Sequence, residues 1–327
     1  MTASHATSEA VISGGNGVPS RGGDGAAGIP GRSSAVTRDR PTTAEDAEPR
    51  SQRLQARDLC LSYGEQVVID GLDIDVIDNT ITGVIGPNGC GKSTLLRALG
   101  RLMQPKRGGV LLDGKQIHKM PTKEVARTLG LLPQSPAAPE GLCVADLVAR
   151  GRHPHQSWYR QWSSRDESAV AEALAMTGIG ELAERAIDEL SGGQRQRAWL
   201  SMALAQSTDL LLLDEPTTYL DLSHQVDVLD LIGRLHDDSG RTVVMVLHDL
   251  NLAARYVDRL VAMKDGVIVA EGRPHEVLTE ELLADVFELR ARVIEDPVMG
   301  TPMVVPVGGR RTSAAVTDGA VTPRPGT

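Results

Sequence analysis

The stretch GVIGPNGCGKSTLLRALG, residues 83–100, decides how this chain is read. Gly86, four intervening residues, then Gly91, Lys92 and Ser93 give the spacing G-x-x-x-x-G-K-[ST], with an apolar run before it and an amphipathic helical pattern after it. Glycines crowded into so short a span let successive backbone N–H groups turn toward one anion. The helix that follows adds its positive end, and Lys92 can reach the outer phosphates of a nucleotide. The expectation is a phosphate-binding loop formed by Gly86, Pro87, Asn88, Gly89, Cys90, Gly91, Lys92, Ser93 and Thr94, with Ser93 placed to ligate Mg2+ beside a bound nucleotide.

Outward from the loop, strand and helix patterns alternate. LQARDLCLSY, VVIDGLDIDVI, TITGVIG, GGVLLDG and LGLLPQ read as strands, and GKSTLLRALGRLM as a helix. From about residue 140 the pattern turns helical, and beyond 205 the short apolar runs DLLLLDEP, TVVMVLHD and RLVAMKDG are separated by helices such as LSHQVDVLDLIGRLHDD. Short, wholly apolar strands between helices indicate an α/β fold whose parallel sheet is covered on both faces. The helical block in the middle, about 136–190, reads as an inserted subdomain. Residues 1–53 are rich in Gly, Ala, Ser, Thr, Pro and charge, with no aromatic residue before Tyr63, and the same texture returns at 307–327. Both are expected to be disordered, leaving a folded domain at 54–306.

LLLLDEP adds chemistry to the loop. An apolar strand delivers Asp214 and Glu215 to its carboxyl end, where ligands sit in open α/β sheets. Asp214 is expected to hold Mg2+, and Glu215 to orient or deprotonate an attacking water. In ELSGGQRQRAWLSMALAQ, residues 189–206, Ser191, Gly192 and Gly193 open a helix and make a second anion-binding helix start.

With LSGGQ in place, the residues resemble the ATP-binding cassette (ABC) ATPase family over about 54–306. The resemblance implies a P-loop NTPase-type parallel sheet core with an antiparallel β subdomain and an inserted α-helical subdomain. It implies that Ser191, Gly192, Gly193 and Gln194 complete an ATP site built on Lys92 of a second copy, so that two ATP molecules are sandwiched in a dimer. It further implies that Gln134 in LLPQ links the Mg2+ and water site to the helical subdomain and that His248 touches the γ-phosphate. By the same resemblance Asp221 in TTYLD joins the two sites, and Tyr63 in LSYG stacks on adenine. Gln134 is thereby grouped with Glu215 and His248 as catalytic, and with Ser93 and Asp214 at the metal. Outside the resemblance Asp221 also reads as the N-cap of the next helix. In this family the helical subdomain and glutamine loop grip a helix of a polytopic membrane permease subunit, which makes residues near 134–165 the expected docking surface.

GRHPHQ, TTYLDLSHQVDVLDLI and IEDPVMGTPMVVP are similar to the ATPases of iron–siderophore importers, which are related to those for haem and cobalamin. Such importers receive cargo from a substrate-binding protein, so that protein is an indirect partner. MVVP reads equally as an edge strand.

Composition narrows the alternatives. A formal charge of −9 supplies no basic field for nucleic acid or anionic lipid. Cys60, Cys90 and Cys143 fall at no metal-binding spacing and suit a reducing compartment. No apolar run approaches the roughly 18–20 residues that a membrane helix takes, and the first residues lack a secretory pattern. The expected place of work is peripheral, on the cytoplasmic face of the membrane. The competing class, a soluble cassette ATPase acting on nucleic acid or ribosomes, is disfavoured by a single cassette without basic field or sustained heptads.

Overall fold

The computed structural model describes residues 52–308 except 135, 137, 157–161 and 219. The expected disordered ends therefore fall outside the described residues but for their inner edges, as does part of the expected docking segment.

The chain begins with two long antiparallel strands, β1 (Leu54–Tyr63) and β2 (Gln66–Val76), followed by β3 (Ile81–Ile85), the glycine loop and helix α1 (Lys92–Leu99). Strands β4 (Arg107–Leu112) and β5 (Lys115–Gln116) complete a four-stranded antiparallel sheet in the order β2-β1-β4-β5. Helix α2 (Thr122–Thr128) leads into β6 (Leu129–Leu132), and the helical block then follows as α3 (Val144–Arg150), α4 (Ser164–Met176) and α5 (Gly192–Ala205). The remaining elements are β7 (Leu210–Leu213), α6 (Leu222–Ser239), β8 (Thr242–Val246), α7 (Leu250–Tyr256), β9 (Arg259–Lys264), β10 (Val267–Gly272), α8 (Pro274–Val277), α9 (Glu280–Phe287), β11 (Ala291–Glu295) and β12 (Pro302–Pro306).

The central sheet has the order β10-β9-β3-β8-β7-β6. Its inner pairings are all parallel, and β10 is an antiparallel edge. Its inner strands β7 and β8 are buried along their whole length because their two faces feed different cores. On β8, Val243 and Met245 join the helices α3, α5, α6 and α7, while Val244 and Val246 join α1 and the antiparallel sheet. On β7, Leu211 and Leu213 face the first core and Leu210 and Leu212 the second. A period-two strand with both faces covered leaves no polar position, which accounts for the uninterrupted runs.

Helix α5 packs on both α3 and α4, so the signature helix belongs to the same bundle. A buried ion pair clamps it: Arg152, just past α3, donates through Nε to Asp166 of α4 at 2.9 Å and through Nη1 to the carbonyl of Ala205, the last residue of α5, at 2.6 Å. MVVP does form a strand, but it pairs with β11 in a separate two-stranded sheet on α7 and not at the edge of the central one. Among the described residues no helix is long and apolar enough to cross a membrane.

Candidate active site

Four adjacent parallel strands, in the order β3, β8, β7 and β6, end on one side of the sheet, and each hands over a chemical group. The glycine loop and Lys92 follow β3, His248 follows β8, Asp214 and Glu215 follow β7, and Gln134 follows β6. Strand order thus places Glu215 between His248 and Gln134, which are far from it and from each other in sequence.

The loop has the left-handed backbone that its glycines predict. Gly86 lies at φ +150°, and a Cβ there would stand 2.2 Å from the carbonyl oxygen of Met263 on β9, so the loop is pressed against the neighbouring strand. At Gly89 (φ +81°) a Cβ would meet nothing within 4 Å, which leaves the crest of the loop open. Lys92 is only 5% exposed, and its Nζ donates to the carbonyls of Gly86 and Pro87, each at 2.9 Å. The ammonium thus closes over its own loop.

Ser93 donates through Oγ to Oδ1 of Asp214 at 2.8 Å. Asp214 is 2% exposed, and burial pushes its carboxyl above the ordinary range, opposed by the Ser93 bond. Glu215 is also buried, at a φ of +54° that places a non-glycine residue in the left-handed region. Its Oε2 accepts from Gln134 Nε2 at 2.6 Å and Thr218 Oγ1 at 2.9 Å, while His248 Nε2 lies 2.7 Å from Oε1. Burial is the largest influence and pushes this carboxyl up, but the bonds from His248, Thr218 and Gln134 together hold it below its usual value. At neutral pH Glu215 is therefore an anion.

One hydroxyl and one buried carboxylate form an all-oxygen donor pair. That set is too small for a dedicated cation cage, and among the described residues no group of three or more acidic, His or Cys side chains could hold a metal ion. It fits Mg2+, which keeps most of its coordination for water and substrate phosphates.

The remaining candidates sit elsewhere on the chain. Ser191 caps α5 in a reciprocal box: its Oγ accepts from Gln194 N at 3.3 Å, and Gln194 Oε1 accepts from Ser191 N at 3.1 Å. Gly192 and Gly193 form the first turn. Asp221 caps α6, its Oδ1 accepting from His224 N and Ser223 Oγ, each at 3.0 Å, with His224 Nδ1 at 2.5 Å. The backbone bond from His224, then that side chain and Ser223, hold its carboxyl down at about 2. Among the described residues Ser191, Gln194 and Asp221 make no hydrogen bond to the strand-end group. Tyr63 is half exposed beside α1 and accepts a hydrogen bond from Arg97 Nη1 at 3.0 Å. The structure thus joins Lys92, Ser93, Asp214, Glu215, Gln134 and His248 at one side of the sheet, and leaves Ser191 and Asp221 as exposed helix caps, with Gly193 and Gln194 half-buried in the first turn of α5.

Sequence reasoning passed over Thr218, the third donor to this carboxylate. The available signal was a hydroxyl three residues after Glu215, just beyond the turn that Pro216 begins.

Residues 69–218 match the family model described as ABC transporter. The chain is 57% identical over 253 residues to the Bacillus subtilis (strain 168) protein named "Probable siderophore transport system ATP-binding protein YusV", covering 77% of this chain and 92% of that one. It is 51% identical over 263 residues to the ferric enterobactin transport ATP-binding protein FepC of Escherichia coli (strain K12), covering 80% and 97%. Among solved structures it resembles the dimeric post-hydrolysis state of the ATP-binding cassette MJ0796 bound to ADP and Pi, at 26% identity and a TM-score of 0.61, over 68% of this chain and 98% of that one.

Proposed function

The chain belongs to the ABC transporter family and is an ATPase, and on that premise we propose that it powers an importer of iron–siderophore complexes. Support for the cargo class comes from the relatives' names. Support for the chemistry comes from one observation above all: Glu215, anionic and buried, is held by Gln134 and His248 from the two flanking strands beside the Ser93–Asp214 pair.

In this reading the ATP phosphates enter the loop 86–91, and Lys92 exchanges the Gly86 and Pro87 carbonyls for phosphate oxygens. Ser93 and Asp214, with Gln134 near, would hold Mg2+, which would neutralise phosphate charge when bound. His248 reaches the γ-phosphate, and in leaving Oε1 it frees one oxygen of Glu215 to take a proton from the attacking water. Thr218 keeps the other oxygen in place. Tyr63, anchored by Arg97, offers a face for adenine. No covalent intermediate is involved; the chain supplies position, charge and a base.

A second copy completes the site with Ser191, Gly192, Gly193 and Gln194, and Asp221 connects the two sites. The ATPase unit is residues 54–306. It works at the cytoplasmic face of the membrane, where residues near 134–165 receive a helix of a permease subunit fed by a substrate-binding protein.

The test is uptake of labelled iron–siderophore, haem and cobalamin by iron-starved source cells lacking redundant importers and carrying either this chain or Glu215→Gln. Loss of siderophore uptake alone is expected. Loss of haem or cobalamin uptake instead would move the cargo, and survival of all three would overturn the importer reading.

A further inference from the structure

We propose that His224 is a positioning residue that locks Asp221 to the start of the signature helix, so that both move as one surface when a second copy closes on ATP. The inference rests on the reading that Asp221 and the residues 191–194 face that second copy.

Two contacts of the same imidazole carry it. On one edge, Nδ1 lies 2.5 Å from Oδ1 of Asp221, and the backbone N–H of His224 donates to the same oxygen. On the other, the ring lies against Gly193, so closely that a Cβ at that position would stand 3.3 Å from Cδ2 and 3.5 Å from Cγ. Gly193 therefore leaves room for His224. The seam continues along both helices: Arg197 Nη2, one turn further along α5, pairs with Asp227 on α6 at 2.9 Å, and Gln196 Nε2 donates to the carbonyl of Pro216 at 2.8 Å. That last bond ties the seam to the turn that carries Glu215 and Thr218.

The Arg197–Asp227 pair joins the two helices without touching Asp221 or Gly193. Among the described residues, His224 is the side chain that bridges the cap of one to the first turn of the other. An exposed carboxylate has many rotamers to choose from; Ser223 Oγ and the His224 backbone N–H hold its Oδ1 at the cap, and the imidazole adds the one of these bonds that also fixes it against α5 before the partner arrives.

The test uses the full chain in the Glu215→Gln background, where ATP is held without turnover, with ATP-driven dimerisation followed by size-exclusion chromatography. His224→Ala is expected to raise the ATP concentration needed for half-dimerisation about fivefold, the net size of one ordinary solvent-exposed hydrogen bond. The ATP affinity of the monomer and the melting temperature should stay close to the parent's. His224→Asn should restore dimerisation, because its amide nitrogen takes the place of Nδ1 and its small head still fits against Gly193. Arg197→Ala should have the weaker effect. In the otherwise unchanged chain, His224→Ala should lower kcat with little change in KM. If His224→Ala dimerises like the parent, or if it only lowers the melting temperature, the positioning role is overturned. If the parent Glu215→Gln chain itself does not dimerise with ATP, the underlying dimer reading fails, and this proposal with it.

Discussion

The strand-end group and the helix-cap group are built on opposite terms. Lys92, Asp214 and Glu215 are more than nine-tenths buried, Lys92 bonded to the loop that precedes it and the two carboxylates to groups carried by other strands, whereas Asp221 has a side chain 68% exposed and, like Ser191, hydrogen-bonds only within its own helical turn. One chain can assemble and desolvate the first group alone. The second group is capped within its own two helix starts, with His224 of one against Gly193 of the other. The first group holds buried charge at a cost to the resting fold; the second keeps its functional groups in water until another surface covers them.

Four substitutions would break or sharpen that contrast. The largest effect belongs to Glu215→Gln, which should lower turnover by roughly 10²–10⁴-fold, the range for loss of a positioned general base, while ATP binding measured by equilibrium dialysis persists. Normal turnover in the assembled mutant would remove Glu215 from the chemistry. Next, Lys92→Ala should weaken ATP affinity about thirtyfold or more, because a buried cation on phosphate is lost; unchanged affinity would mean that the loop does not hold the nucleotide.

In the exposed group, Ser191→Ala should cost about 1 kcal/mol of stability through the lost helix cap. Its monomer should bind ATP normally while turnover at low protein concentration falls further than the melting curve explains. A loss matching the cap alone would make Ser191 a structural residue. The smallest effect is a gain. The carboxyl of Asp214 is held above its ordinary value, so the folded chain binds that proton more tightly than the unfolded chain does. The associated stability is present in acid and is lost as pH rises through the raised value. Asp214→Asn should therefore melt slightly higher than the parent at neutral pH without nucleotide, the advantage vanishing in acid, and should hydrolyse ATP poorly. A lower melting temperature at neutral pH would show that the Ser93 bond outweighs the burial cost.

What the sequence disclosed follows from how local each feature is. The loop at 86–91, the Asp214–Glu215 pair and the Ser191 cap are each contiguous, so spacing and flanking hydrophobicity suffice to place them. The apolar strands were legible because burial on both faces leaves a continuous run. Arg152 with Asp166, Arg97 with Tyr63 and His224 against Gly193 were not legible, since each joins elements whose approach depends on tertiary packing. Strand β10 was passed over as well, its alternating exposure at a sheet edge giving a weaker signal than the wholly buried strands.

The division of each central strand between two cores makes neighbouring residues into independent reporters. Methyl resonances of Val243 and Val244 sit one peptide apart, yet the first senses the helices and the second senses α1 and the antiparallel sheet. Should nucleotide rotate the helical block against the rest of the molecule, odd-numbered positions of β7 and β8 would register the movement while even-numbered ones stayed quiet. A single strand thus carries a built-in differential gauge, readable by spectroscopy without any label added to the surface.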